Sequence, residues 1–187
     1  MSPAAIRYRS RATAADVPAL RRLVAATGVF YPRERAIAVE LLRERLARGA
    51  RSGYSFFFAE RGGELLGYAA WGRVPLTERS YDLYWIAVAP AAQREGLGQA
   101  LLARVEAAVA ARGGGGLHIE TSSRRVYDRA RRFYRDAGYR QVARLRDFYA
   151  PGDHKVMFCK VIAAQAERRR GSRGRLGQAA SEPKEIL

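Results

Sequence analysis

Residues 84–98 read Tyr-Trp-Ile-Ala-Val-Ala-Pro-Ala-Ala-Gln-Arg-Glu-Gly-Leu-Gly, and this stretch decides the fold. An apolar strand runs to Val88 and stops at Pro90. A loop bearing Gly96 and Gly98 then opens straight into a helix with Leu97, Leu101, Leu102, Val105 and Val109 on one face. The first turn of a helix leaves backbone N–H groups unpaired and carries partial positive charge. Glycines let that backbone approach a ligand closely, so the turn reads as a diphosphate cradle to which Arg94 adds a side-chain charge. It is not a P-loop, because no Gly-Lys-Ser/Thr follows. It is not a Rossmann turn, which needs a third glycine after a first strand. The turn alone is a weak signal, and the strand before it and the amphipathic helix after it give it weight.

Outward from this turn, strands and helices alternate. Upstream, Ile6 to Ala12 reads as a first strand. Thr13 with Asp16 forms a capping-box pattern before a helix carrying Val17, Leu20, Leu23 and Val24 on one face. A second helix is expected from Arg33 to Arg48, with Ile37, Leu41 and Leu42 inward and a stop at Gly49. Tyr54 to Glu60 and Glu64 to Trp71 read as strands of a hairpin turning at Arg61-Gly62-Gly63, and Tyr81 to Val88 as a fourth strand. Downstream, the helix ends in Gly113 to Gly116, and Leu117 to Thr121 is a short buried strand. Val126, Ala130, Phe133 and Ala137 mark a further helix stopped by Gly138. Arg140 to Arg146 and Lys155 to Val161 close the fold around the turn residues Pro151-Gly152-Asp153. The sum is a mixed α/β domain.

In this order of elements the segment Ile86 to Leu102 resembles the acetyl-CoA motif of the GNAT N-acetyltransferase superfamily. Arg11-Ala12-Thr13 with Asp16 resembles the family's opening. Ala130-Arg131-Arg132-Phe133-Tyr134-Arg135-Asp136-Ala137-Gly138-Tyr139 resembles the helix and Gly-aromatic step that close its cofactor site. The resemblance covers residues 5 to 163. It implies a mixed, mostly antiparallel sheet with helices on both faces, and transfer of an acetyl group from acetyl-CoA to a primary amine by direct attack. It implies that the backbone of Ile86 to Val88, Ala87 included, pairs with the pantetheine arm. Gln93, Arg94, Glu95, Gly96, Leu97, Gly98, Gln99 and Ala100 would hold the diphosphate. One departure stands out: the family often has an asparagine where this chain has Tyr127. The stretch Thr121 to Arg125 is also about two residues longer than usual.

Thioester aminolysis needs a neutral amine and a stabilised thiolate. A lysine-type amine of pKa ~10.4 costs about 4–5 kcal/mol to deprotonate at pH 7, whereas an α-amine near ~7.8 costs about 1. Tyr134 follows Phe133, expected to face the core, and so sits about 100° further round the helix. It matches the family's thiolate-protonating tyrosine. The resemblance implies two alternative carboxylates as base, acting directly or through water: Glu120 on the short strand after the glycine run, and Asp82 on the fourth strand. The resemblance also sets Phe30, Tyr31, Phe148 and Tyr149 around the acceptor groove, where aromatic rings offer apolar walls with polar tips.

Bulk composition bounds the rest. The 187 residues fit one domain, and no apolar run reaches the length of a membrane span. Cys159 is the single cysteine, so no intrachain disulfide is possible, and a cytoplasmic protein is expected. Two histidines and one cysteine do not form a metal site, so none is expected. The net charge is +16, and all but three of the 34 basic residues are arginine. Charge alone fits a nucleic-acid-binding module, the rival reading, but no helix-turn-helix, RNA-recognition aromatic pair or zinc spacing accompanies it. A non-catalytic acyl-CoA-binding regulator is a second rival. A monomer or homodimer is expected. The composition shifts near Gln165, so the domain is expected over residues 1–164, followed by a basic disordered tail at 165–187.

Overall fold

The computed structural model describes residues 4–165. Beyond Gln165, the expected basic tail lies outside the described residues. The elements are β1 (Arg7–Arg9), α1 (Asp16–Ala26), α2 (Pro32–Arg48), β2 (Tyr54–Arg61), β3 (Glu64–Arg73), β4 (Ser80–Val88), α3 (Leu97–Ala111), β5 (Gly115–Ser122), α4 (Asp128–Asp136), β6 (Arg140–Ala150) and β7 (Asp153–Ile162). The strands form one sheet in the order β1-β2-β3-β4-β5-β7-β6. Every pairing is antiparallel except β4 with β5, which α3 connects as a crossover.

Helices cover both faces. On one, α3 packs Leu97, Leu101, Leu102, Val105 and Val109 against Leu83, Leu117, Ile119 and Phe158 of the sheet. On the other, Leu20, Leu23 and Val24 of α1 and Ala38, Val39 and Leu42 of α2 meet Phe56, Phe58 and Tyr68. The central strand β3 is therefore buried on both sides from Leu65 to Gly72. Each fully buried leucine contributes about 1.5–3 kcal/mol. Close approach needs Gly72, where a Cβ would lie 2.3 Å from the Gly53 carbonyl oxygen.

Strand β4 carries the feature that matters most. Its register with β3 pairs Trp71 with Leu83 but Ala70 with Trp85, so Tyr84 is an extra residue, a bulge. The bulge shifts the alternation by one. Tyr81 and Leu83 face α3, and beyond the bulge so do Ile86 and Val88, while Trp85 and Ala87 turn to the α1–α2 side. Pairing with β5 stops at the same point: it joins Ser80–Leu83 to Gly116–Ile119 and goes no further. The two strands then diverge.

Four details differ from the sequence reading. The first strand is only Arg7–Arg9. Ile37 is 48% exposed, and Ala38, Val39 and Leu42 make the α2 core instead. In α4 it is Tyr134 that is buried, while Phe133 is half-buried. The closing strands are longer than expected, because a register shift between Leu145 and Ala150 lets β6 run on to Ala150. At the opening, Thr13 donates from its backbone N–H and hydroxyl to Asp16 at 2.7 and 3.0 Å. Arg9 bridges Asp16 and Glu60, both buried, and its hydrogen bonds hold the Glu60 carboxyl below the usual glutamate range. Among the described residues no helix is long and apolar enough to cross a membrane.

Candidate functional site

The divergence of β4 from β5 opens a cleft of about 1700 Å³. Its floor is the free edge of β4. Ala89 N–H donates to the Leu66 carbonyl at 2.8 Å, and antiparallel bonding alternates by two, so Ala87 and Trp85 share ladder bonds with β3. Ile86 and Val88 therefore turn their N–H and C=O groups into the gap. The Val88 carbonyl accepts a bond there from Gln93 Nε2 at 3.2 Å. A polar backbone edge inside a cleft suits an amide-bearing chain such as a pantetheine arm.

At one end the cleft meets the glycine turn. Arg94 and Gly96 both hold left-handed backbone, with φ of 73° and 78°. Arginine rarely adopts this conformation, and such residues cluster at ligand sites. No side chain caps α3, and its first internal bond is Ala100 N–H to the Gly96 carbonyl at 2.9 Å. The N–H groups of Leu97, Gly98 and Gln99 are thus unspent among the described residues, as a diphosphate site requires. The residues present fit the cosubstrate.

Of the residues expected at the cofactor, Ile86, Ala87, Val88, Gln93, Arg94, Gly96, Leu97, Gly98 and Gln99 line the cleft. Glu95 and Ala100 do not: Glu95 pairs with Arg61, and Ala100 lies in the body of the helix. Arg129 of α4 donates to Gln93 Oε1 at 2.5 Å, a bridge across the cleft that the sequence did not reveal.

Tyr134 lines the cleft wall from α4. Its ring packs on Phe158 and Tyr139, with centroids 5.8 and 6.3 Å away. Burial pushes its phenol well above the usual value, and its hydroxyl makes no hydrogen bond among the described residues. It is a protonated donor with an unspent bond. Glu120 also lines the cleft, half-exposed, with its carboxylate 2.5 Å from Lys155 Nζ. Asp82 lies across the β4–β5 pairing beside His118 and does not line the cleft. Burial raises its carboxyl above the usual aspartate range, and the charge of Glu120 adds to this.

The other end of the cleft holds Phe30, Tyr31 and Tyr149. Phe30 packs against Trp85 and Tyr127, at centroid distances of 5.1 and 6.4 Å. Burial pushes the Tyr149 phenol up to about 12. Phe148 lies outside the lining, its ring 4.3 Å from the Lys155 ammonium. Tyr127, the departure from the family pattern, sets its hydroxyl 3.4 Å from Glu34 Oε1. Lys155 and Arg124 escaped the sequence reading, because their roles depend on which strands and loops meet. Among the described residues no group of His, Cys, Asp or Glu could hold a metal.

Known proteins share this architecture. The sequence profile of the GNAT acetyltransferase domain matches residues 52–141, from just before β2 into the start of β6. A mycothiol acetyltransferase of Streptomyces bingchenggensis is 35% identical over 79 residues, which is 42% of this chain. The match spans only 25% of that relative's length. The ribosomal-protein-S18-alanine N-acetyltransferase of Escherichia coli superposes with a TM-score of 0.68 at 21% identity, covering 85% of this chain and 95% of that one, a likeness of fold. A GNAT-family structure from Desulfovibrio desulfuricans superposes with a TM-score of 0.83 at 45% identity, covering 85% of this chain and all of that one. With that identity over the full length of a family member, this chain belongs to the GNAT acetyltransferase family.

Proposed function

We propose that the chain transfers the acetyl group of acetyl-CoA to a primary amine by direct attack. The observation that carries this reading is the free edge of β4, leading from Ile86 and Val88 into the uncapped start of α3. Acetyl-CoA supplies an activated thioester, and this chain's residues do the rest. Ile86 and Val88 would hold the pantetheine amides, and Gln93 would release Val88 to do so. The backbone from Arg94 to Gln99 would hold the diphosphate. Glu120, on the cleft wall, is the better placed of the two bases, acting on the ammonium directly or through water. Asp82, whose carboxyl burial raises above the usual aspartate range, lies behind it. Tyr134 would donate a hydrogen bond to the developing thiolate. Its raised pKa makes full proton transfer uphill, so the donated bond is its main contribution.

A membrane-free, intracellular setting and a monomer or homodimer are part of the same reading. The test is calorimetric titration with acetyl-CoA, followed by thiol release with a panel of primary amines. Binding and amine-dependent release support the proposal. Binding without release by any amine supports the rival reading as an acyl-CoA-binding regulator. No binding refutes both.

A further inference from the structure

We infer that Arg124 recognises a carboxylate on the acceptor, so that the amine substrate is a small amino-acid-like molecule. This rests on the acetyl-transfer reading and names its substrate class. Arg124 sits in the stretch between β5 and α4, and it lines the acceptor end of the cleft. Its guanidinium carbon lies 4.2 Å from the Tyr31 ring centre and 5.1 Å from that of Tyr127. Two aromatic faces thus hold the group in place.

The ionic ties of Arg124 use one edge only. Nε lies 3.3 Å from Asp153 Oδ2 and 3.4 Å from Ser122 Oγ. Asp153 is itself buried and takes a bond from Ser122 Oγ at 2.5 Å. A guanidinium offers five N–H donors, and its forked end suits a planar carboxylate. The guanidinium also hydrogen-bonds the Tyr127 hydroxyl, which leaves further donors of its forked end for a ligand. The forked end lies beside the Tyr127 hydroxyl, whose titration it influences.

The carboxylates at this end are already engaged. Glu34 accepts from Tyr31 N–H at 2.6 Å and from the Tyr127 hydroxyl. Glu120 is paired with Lys155, and Asp153 with Ser122 and Arg124. Arg33 on the same rim makes no ion pair among the described residues. The remaining donors of Arg124, held between two rings at this end, suit a planar carboxylate on the acceptor. Phe30, Trp85 and Tyr149 would surround an apolar side chain.

The test uses L-phenylalanine and L-phenylalaninamide, which differ in the carboxylate. Each is assayed as acceptor with the parent, Arg124→Met and Arg124→Lys, and the ratio to the parent cancels the different amine pKa values. Arg124→Met should raise the KM for L-phenylalanine roughly ten- to a hundredfold, the range of a charge-assisted pair, and change that for the amide little. Arg124→Lys keeps the charge but not the fork and should fall between. Calorimetric titration of CoA-saturated protein with L-phenylalanine reads the same site without turnover. Equal losses for both acceptors would show a merely structural role and overturn the inference. So would parent protein that neither binds nor acetylates L-phenylalanine while it acetylates other amines. If acetyl-CoA itself does not bind, the transfer reading fails, and the L-phenylalanine titration of the ligand-free parent and Arg124→Met still decides the carboxylate site.

Discussion

Placing a negative charge at Gly98 should separate binding from folding. A Cβ there would lie 3.6 Å from two Phe133 ring carbons and 3.9 Å from a Val88 methyl, ordinary contact distances. Gly98→Ala therefore fits, and alanine in a helix gains up to about 1 kcal/mol over glycine. Gly98→Asp adds a charge to the first turn of α3, where the helix dipole favours an anion by about 0.3–1 kcal/mol. Neither variant should lose thermal stability. A diphosphate on the same N–H groups would meet that charge. At ~4 Å and an effective dielectric of ~20 the repulsion is about 4 kcal/mol, and at ~8 Å about 2. Acetyl-CoA affinity should then fall between about thirtyfold and a thousandfold in Gly98→Asp, and by about threefold or less in Gly98→Ala. Calorimetric titration reads both, and added salt should narrow the gap. A folded Gly98→Asp that binds acetyl-CoA like the parent would refute the placement of the diphosphate.

Three other perturbations probe separate parts of the molecule. Tyr134→Phe removes a donor and almost no volume, so kcat should fall by about a hundredfold or more while acetyl-CoA affinity holds; unchanged kcat would remove Tyr134 from the chemistry. Substituting both Tyr31 and Tyr149 by alanine should raise the acceptor KM and spare that of acetyl-CoA, and a change confined to acetyl-CoA would contradict the acceptor assignment. The depressed pKa of Glu60, due first to its bond from Arg9, contributes stability that is present above the unfolded glutamate value of ~4.3 and is lost as pH falls through the lower folded one. Thermal midpoints from pH 7 to 3 should therefore fall less steeply in Glu60→Gln, and parallel curves would show that Glu60 is not the group titrating.

The fold was legible wherever one segment carried its own signal. The strand–turn–helix from Tyr84 to Val109 is local in sequence, and so were the hairpin at Gly62-Gly63 and the helix stop at Gly138. The errors arose where tertiary context outweighed pattern. Periodicity set Ile37 inward, but α2 lies at the cleft mouth and turns Ala38 and Val39 to the sheet instead. Phe133 is the more apolar neighbour of Tyr134, yet α4 presses Tyr134 against Phe158 and leaves Phe133 beside Gly98. Lys155 and Glu120 meet because β7 lies next to β5, with Ser122 opposite Lys155, and no spacing in the chain records that adjacency.

The bulge at Tyr84 joins these levels. Without it, Leu83, Trp85 and Ala87 would share one face, and β4 would continue its alternation beside β5. With it, Ile86 and Val88 lay their side chains under α3 while their backbone groups point along the sheet into the gap. One extra residue thus gives β4 an apolar face for the core and an unpaired polar edge for a ligand over the same short span. An unpaired edge at the middle of a sheet leaves N–H and C=O groups without partners, and native folds rarely keep such groups dry. The fold tolerates it because Pro90 and the glycine turn end the strand at the mouth of the cleft, where a ligand or water can reach the edge. The same geometry that costs β4 its ladder with β5 therefore leaves, inside the cleft, the backbone edge that the proposed amide-bearing cosubstrate would use.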